Sequence, residues 1–402
     1  MRVVADLQLH SKYALATSRD MDLEHMAQGA RLKGLSLLGT GDFTHPSWFE
    51  ELKSKLEPQG GTGLFSFGGV TWMLSGEVCT VYQQEGKTRK VHHLIYSPDF
   101  ESAAQANDAL AKHGDLSSDG RPVLKGLDSA ELVETLTGIS DSIVVIPAHA
   151  WTPWFSVFGS RSGFDSLEEC YKDQTKKIFA IETGLSSDPP LNWRLSQLDA
   201  VALMSNSDAH SPNPWRLGRE ANVFELRRLA YDEVFDSVKK KDASRFLFTI
   251  EVDPAYGKYH FSGHRACGVS LSPLESVRLG NKCPKCGRTL TIGVLQRVEE
   301  LADRPEGYVP TGAIPYKKLL PLYEVISYAT GVNRLYVKRV VEEQDKLIRK
   351  FGSELAVLLE ADREALAGAT SKTIVDAIIA LREGRVEVVP GYDGVYGTPR
   401  FG

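Results

Sequence analysis

The chain lacks any apolar run approaching the roughly 20 residues that a helical membrane span needs, so no membrane partner is expected. Cysteine is scarce, with five in 402 residues and three of them confined to 267–286. That excludes a disulfide framework, which needs paired cysteines spread along the chain. The glycine-rich stretch 57–70 holds no Gly-Lys-Ser or Gly-Lys-Thr, which excludes a nucleotide P-loop. No internal repeat or low-complexity segment points to a solenoid or a disordered tail. An excess of positive charge is missing too: 47 Lys and Arg stand against 52 Asp and Glu, a formal net charge of −5. Met1-Arg-Val-Val-Ala-Asp6 enters a strand at once, without the apolar core of a secretion signal, so a reducing cytoplasm is expected.

The charge is unevenly placed. Residues 255–298 hold seven Lys and Arg against one acidic residue, whereas both flanks are acidic on balance. A local basic module, rather than whole-chain charge, sets the footprint on a phosphate backbone. With 402 residues, two or three domains are expected.

Strand-like and helix-like segments alternate to about residue 250, the pattern of an α/β fold. Leu23, Met26, Ala27 and Ala30 follow helical spacing and stop at Gly34, a C-cap residue. Ser129–Leu136 reads as a second helix with Ser129 as N-cap. Residues 101–128 read as an irregular insertion, and 151–171 as an aromatic loop. From about Pro310 the apolar spacing turns helical, and residues 391–402 form a Gly- and aromatic-rich tail.

Seven short apolar runs of the first half each end at residues able to bind a metal. They lead to Asp6-Leu-Gln8-Leu-His10, Asp42 with His45, Glu77, His92-His93, His149, Glu182 and Asp208-Ala-His210. One such ending is ordinary; seven in order predict one pocket, because a barrel of parallel strands gathers its C-terminal strand ends on one face. An N/O-rich site of this kind holds several divalent ions and suits hydrolysis of a phosphate ester. Side chains alternate faces along a strand, so only one of His92 and His93 can face the pocket. A lone buried histidine is more often structural, and His25 and His113 are set aside.

His264-Arg-Ala-Cys267 and Cys283-Pro-Lys-Cys286 have the spacing of two zinc knuckles. Each is followed directly by a glycine, as a tight turn requires. His264 is the expected first ligand, with His260 nearby. The bland reading is a module that only staples a small domain; its net +6 makes DNA contact at least as good a reading.

The order Asp-x-x-x-His, Gly-Asp, Gly-Glu, His, His, Ser-Asp-Ala-His over residues 1–245 resembles the PHP (polymerase and histidinol phosphatase) metallohydrolases. Thr40-Gly-Asp-Phe-Thr-His-Pro46, Arg89-Lys-Val-His-His-Leu-Ile95, Pro147-Ala-His-Ala-Trp-Thr-Pro-Trp154, Ile181-Glu-Thr-Gly-Leu-Ser-Ser-Asp188 and Pro390-Gly-Tyr-Asp-Gly-Val-Tyr396 are similar to the endonuclease Q family within it. The resemblance implies a PHP-type distorted (β/α)7 barrel at 1–250, a zinc ribbon at 255–298 and a small helical domain at 305–402. It implies cleavage of DNA 5′ to uracil, hypoxanthine, xanthine or an abasic site, leaving a 3′-hydroxyl and a 5′-phosphate. Two or three divalent ions (Zn, Mg or Mn) are expected in the barrel, with zinc in the ribbon. The partner it implies is damaged double- or single-stranded DNA, in a nucleoid setting; the tail shows no clear motif for a sliding clamp, which stays an open partner.

On this reading the metal site is Asp6, Gln8, His10, Asp42, His45, Glu77, His93, His149, Asp208 and His210. Glu77 bridges two ions, His10 and Asp208 complete one site, His93 and His149 the second, and His210 with Asp42 or His45 a third. The family opens with His-x-His, and here Gln8 replaces the first histidine; Asp42-Phe43 likewise replaces the usual Asp-His. Base and backbone contacts are expected from Trp151, Trp154, Trp193, Arg194, Arg278, Lys282, Lys285 and Arg288. A damaged base must leave the stack to be read, which implies base flipping. Two rivals remain: a small-molecule phosphoesterase of the histidinol-phosphatase type, and a DNA-binding PHP protein weakened at Gln8.

Overall fold

The computed structural model describes residues 1–332 and 336–401; residues 333–335 of the expected helical domain and Gly402 of the expected tail lie outside the described residues. Of the ten strands up to Met204, seven carry or lead into the candidate ligands: β1 (Arg2–Asp6), β2 (Leu37–Gly39), β3 (Val70–Gln84), β4 (Lys87–Ser97), β5 (Val144–Pro147), β6 (Ala180–Glu182) and β7 (Ala202–Met204). β1 to β3 pair parallel, as do β6 and β7. The Ala150 amide donates to the Glu182 carbonyl between the ends of β5 and β6, and the His10 amide to the Ala209 carbonyl between those of β7 and β1. Val3, Leu37, Met73, Leu94, Ile146, Ala180 and Met204, one from each strand, lie in one buried cluster. Period-two alternation aims these residues inward, and their burial is the main force holding the strands together.

The expected set of all-parallel strands is corrected at β4. The short turn at Glu85-Gly86 folds β4 back on β3, so β4 pairs antiparallel with both β3 and β5. Two further strands, β8 (Ala221–Glu225) and β9 (Phe246–Glu251), extend the sheet antiparallel beyond β1.

The helix at Leu23–Lys33 has the expected buried face, an Asp22 N-cap and a left-handed Gly34 at φ 97°. The helix at Ser129–Ile139 is capped one residue earlier than expected. Asp128 and Glu131 form a reciprocal capping box, which frees the Ser129 hydroxyl for the core. The stretch 101–128 is more regular than expected, with a helix over Phe100–Leu110 and a strand over Val123–Lys125. Residues after Pro310 do not turn helical at once, because Tyr316–Lys318 first pairs parallel with β9. Helices follow at Leu322–Ala329, Lys338–Phe351, Glu354–Leu359, Arg363–Ala367 and Lys372–Arg382, and the tail closes as an antiparallel pair of Val386–Val389 with Thr398–Phe401. A fully buried pair, Lys33 Nζ to Glu354 Oε1 at 2.6 Å, welds these helices to the first half. Among the described residues no helix is long and apolar enough to cross a membrane.

Candidate metal centre

The strand ends bring two donor groups together: His10 with Asp208 and His210, and Glu77 with His92 and His149. Glu77 stands between them. Its Oε2 lies 3.1 Å from His10 Nε2, and its Oε1 lies 2.6 Å from His92 Nδ1 and 3.3 Å from His149 Nε2. Asp208 Oδ1 lies 3.1 Å from His10 Nε2. His10 Nε2 and Asp208 Oδ1 are buried yet neither makes an aligned hydrogen bond. Buried polar atoms are normally hydrogen-bonded, so unaligned ligand atoms crowded at these distances fit a cation between them.

Three of the turns that carry site residues are strained. Asp42, His149 and Asp208 have φ of 47°, 28° and 49°, a region L-residues enter at a cost and mostly where function demands it. The insertion comes against the same site. A Cβ on Gly120 would sit 2.3 Å from Asp42 Oδ2, so only glycine admits this approach. Next to it, Arg121 places Nη1 3.7 Å from Glu77 Oε1. Burial pushes the Glu77 carboxyl up, but Arg121, His92, His10 and His149 together hold it well below the ordinary range. Burial likewise opposes charge on His10, yet Asp42, Asp208 and Glu77 raise it well above a free histidine.

Several expected ligands take other roles. His93 is corrected to His92: His92 faces Glu77, and His93 points to the opposite face of β4. His93 meets the Thr80 and Ser129 hydroxyls through Nε2 and the Tyr171 hydroxyl through Nδ1, and burial pushes it down to about 3. Asp6 is corrected from ligand to brace. Its oxygens accept from the Ser207 amide and hydroxyl and the Gly218 amide, and burial raises it to about 6. Asp42 sits behind the metal group: Oδ1 meets His10 Nδ1 at 3.0 Å and Oδ2 accepts from Ser11. It orients the imidazole as carboxylates behind ligand histidines do. His45 is outside both groups, stacked on Tyr13 with Nε2 on the Ser117 carbonyl. Gln8 Nε2 donates to Glu77 Oε2 at 2.9 Å, while its buried Oε1 has no partner.

Sequence reasoning missed Arg121, which no spacing marks. Glu182, left out of the ligand set, accepts from the His149 amide at 2.7 Å and from Asn206, and burial raises it to about 8. It fixes the strained turn that carries His149.

A cleft of about 470 Å³ opens over His149, Asp208 and His210, with Arg216, Arg219, Lys258, Tyr259 and Tyr396 on its walls. Three of the expected base contacts are corrected. Trp151 is buried, with Nε1 on Asn192 Oδ1 and its ring against Phe158. Arg194 is spent on a two-pronged pair with Glu299. Trp193 packs edge-on against Tyr316, away from the cleft walls. Trp154 is 37% exposed and meets Tyr259 edge-on beside the cleft.

Farther along, one ligand atom each from His264, Cys267, Cys283 and Cys286 lies within 4.8 Å of all the others. His260 is outside this group and stacks on Phe261. Arg278, Lys282, Lys285 and Arg288 are exposed around it. The module is tied to the aromatic loop 151–171 by Arg161 to the Leu290 carbonyl and by Arg297 to the Phe158 and Phe164 carbonyls.

Residues 321–385 match the model of the MJ0043 C-terminal domain. The chain is 35% identical over 255 residues to the uncharacterized protein MJ0043 of Methanocaldococcus jannaschii, a match that spans 63% of this chain and 31% of that protein. The lesion-specific endonuclease PfuEndoQ from Pyrococcus furiosus superposes with a TM-score of 0.89 at 35% identity, over 100% of this chain and 96% of that one. An Endonuclease Q complex with a 27-mer duplex carrying an abasic lesion at its active site superposes equally well, with a TM-score of 0.89 at 34% identity over 100% and 97% of the chains.

Proposed function

This chain belongs to the endonuclease Q family of metal-dependent hydrolases, and we propose that it nicks DNA on the 5′ side of a deaminated base or an abasic site. The observation that carries this reading is Glu77, held between two donor groups whose His149, Asp208 and His210 line a cleft shared with Arg216, Arg219 and Lys258. A cleft of that size admits a nucleotide. Its cationic walls suit a phosphate backbone. We read the seven strands as a PHP-type distorted barrel at 1–250, followed by a zinc ribbon at 255–298 and a helical domain at 305–402.

His10, Asp208 and His210 would hold one ion, and His92 and His149 a second, with Glu77 shared. Divalent ions there would supply a nucleophile at neutral pH and neutralise charge on the phosphoryl oxygens. The protein's own part is positioning. Asp42 fixes His10, Glu182 fixes the His149 turn, and Gln8 holds Glu77 by its amide. Arg121 offsets the negative charge of Glu77 and leaves it ionised. Gln8 therefore has a task as an amide, and its neighbours keep four imidazoles in place, which favours activity over a weakened binding protein. The exposed ribbon cations favour DNA over a small phosphomonoester.

The test compares divalent-dependent cleavage of a uracil duplex, an undamaged duplex and a small phosphomonoester. The proposal expects the first alone to be cut efficiently. Equal cutting of both duplexes would leave a nonspecific nuclease, and preference for the monoester would give the site to a small-molecule phosphoesterase.

The ribbon makes a separate prediction. Replacing Cys283 and Cys286 with serine is expected to remove about one zinc per chain, since two of four ligands are lost. The cleft metals should stay, because no ribbon residue reaches them. Neutralising Arg278, Lys282, Lys285 and Arg288 should flatten the salt dependence of DNA binding by up to about four phosphate contacts. An unchanged slope would make the ribbon purely structural.

A further inference from the structure

Leu15 is 70% exposed, the most exposed large apolar side chain among the described residues. Single exposed leucines are ordinary on protein surfaces; the support beneath this one is not. The loop that carries it starts directly after His10, and the Ser18 amide returns to the His210 carbonyl at 2.9 Å. On its other side, Asp119 Oδ1 accepts from the Leu15 amide at 2.9 Å and from the Arg121 amide at 3.3 Å. The Gly120 amide closes onto the Tyr13 carbonyl. Ala16, the next residue, is held at φ 60° and lines the cleft. The loop is thus strained, pinned to both sides of the metal centre, and ends in an apolar tip that packs against little of the protein.

We propose that Leu15 is a wedge that enters the base stack beside the cleft and occupies the space left by an extruded nucleotide. The inference rests on the nuclease reading above. Leucine is among the side chains that pry base steps apart, and an enzyme acting on a base within a duplex must offset the cost of unstacking and unpairing it. A rigid anchor suits the task, because a loose loop would lose its own ordering entropy on insertion. Arg19 is exposed on the same loop, and a cation there suits an adjoining phosphate.

The wedge separates cleavage of a paired lesion from cleavage of one already unpaired. Leu15→Ala is expected to slow single-turnover cleavage of uracil paired with adenine by about thirtyfold, but that of uracil in an unpaired bubble by no more than about twofold. Leu15→Phe, which keeps an apolar wedge, should retain most activity on both. The fluorescence rise of 2-aminopurine beside the uracil on binding should fall in Leu15→Ala and persist in Leu15→Phe. Equal losses on both substrates, no loss, or an unchanged 2-aminopurine response in Leu15→Ala would overturn the wedge. A parent protein that cuts neither substrate would instead overturn the nuclease reading, and the wedge with it.

Discussion

Asp208→Asn is expected to lower nicking by about three orders of magnitude while leaving the fold and DNA binding in place. Asp208 gives a carboxylate oxygen to the first donor group, 3.1 Å from His10 Nε2. Losing an ion's stabilisation of the phosphoryl charge removes several kcal/mol, and about 1.4 kcal/mol is tenfold in rate. Asparagine is the right replacement because Asp208 sits at φ 49°. Asparagine tolerates that conformation, whereas alanine would add strain to the lost ligand. Circular dichroism and filter binding check the fold and the affinity; nicking within tenfold of the parent would remove Asp208 from the metal group.

The second large effect separates two adjacent histidines. His92→Ala should cut nicking by about a hundredfold or more, since an imidazole of the second donor group is lost and even the supports of metal ligands cost 10–100-fold. Its effect on stability should be small by comparison. His93→Ala should do the opposite. It leaves a buried hole and takes one partner each from the Thr80, Ser129 and Tyr171 hydroxyls, a loss of about 2–4 kcal/mol in stability. Thermal melting and nicking at a temperature where both variants are folded distinguish the roles. A stable His93→Ala that has lost activity would return His93 to the metal site.

That pair also shows how far the sequence could be read. Alternation along β4 says that one of two neighbouring histidines faces the cleft, but not which, because β4 runs back against β3 and the flanking residues are apolar on both faces. His10, Glu77, His149, Asp208 and His210 were legible because each closes an apolar run. The same signal misplaced Asp6 and His45: a carboxylate or imidazole at a strand end can brace the loops as well as bind an ion, and only its partners decide. Arg121 was hidden because it reaches Glu77 from the irregular stretch between the helix Phe100–Leu110 and the strand Val123–Lys125, where no spacing marks it. The cluster of His264, Cys267, Cys283 and Cys286 was the clearest part, since its paired spacing is local in the chain. Trp151 was misjudged for a related reason: aromatic content marks a loop as sticky without saying whether its rings face the cleft or the core.

The central claim is tested most directly by mapping the nick in a duplex with one uracil, with a divalent ion and with a chelator. The account predicts a single cut immediately 5′ to the uracil, with a 3′-hydroxyl and a 5′-phosphate, that disappears with the chelator. A cut elsewhere, or one that persists without divalent ions, would contradict it.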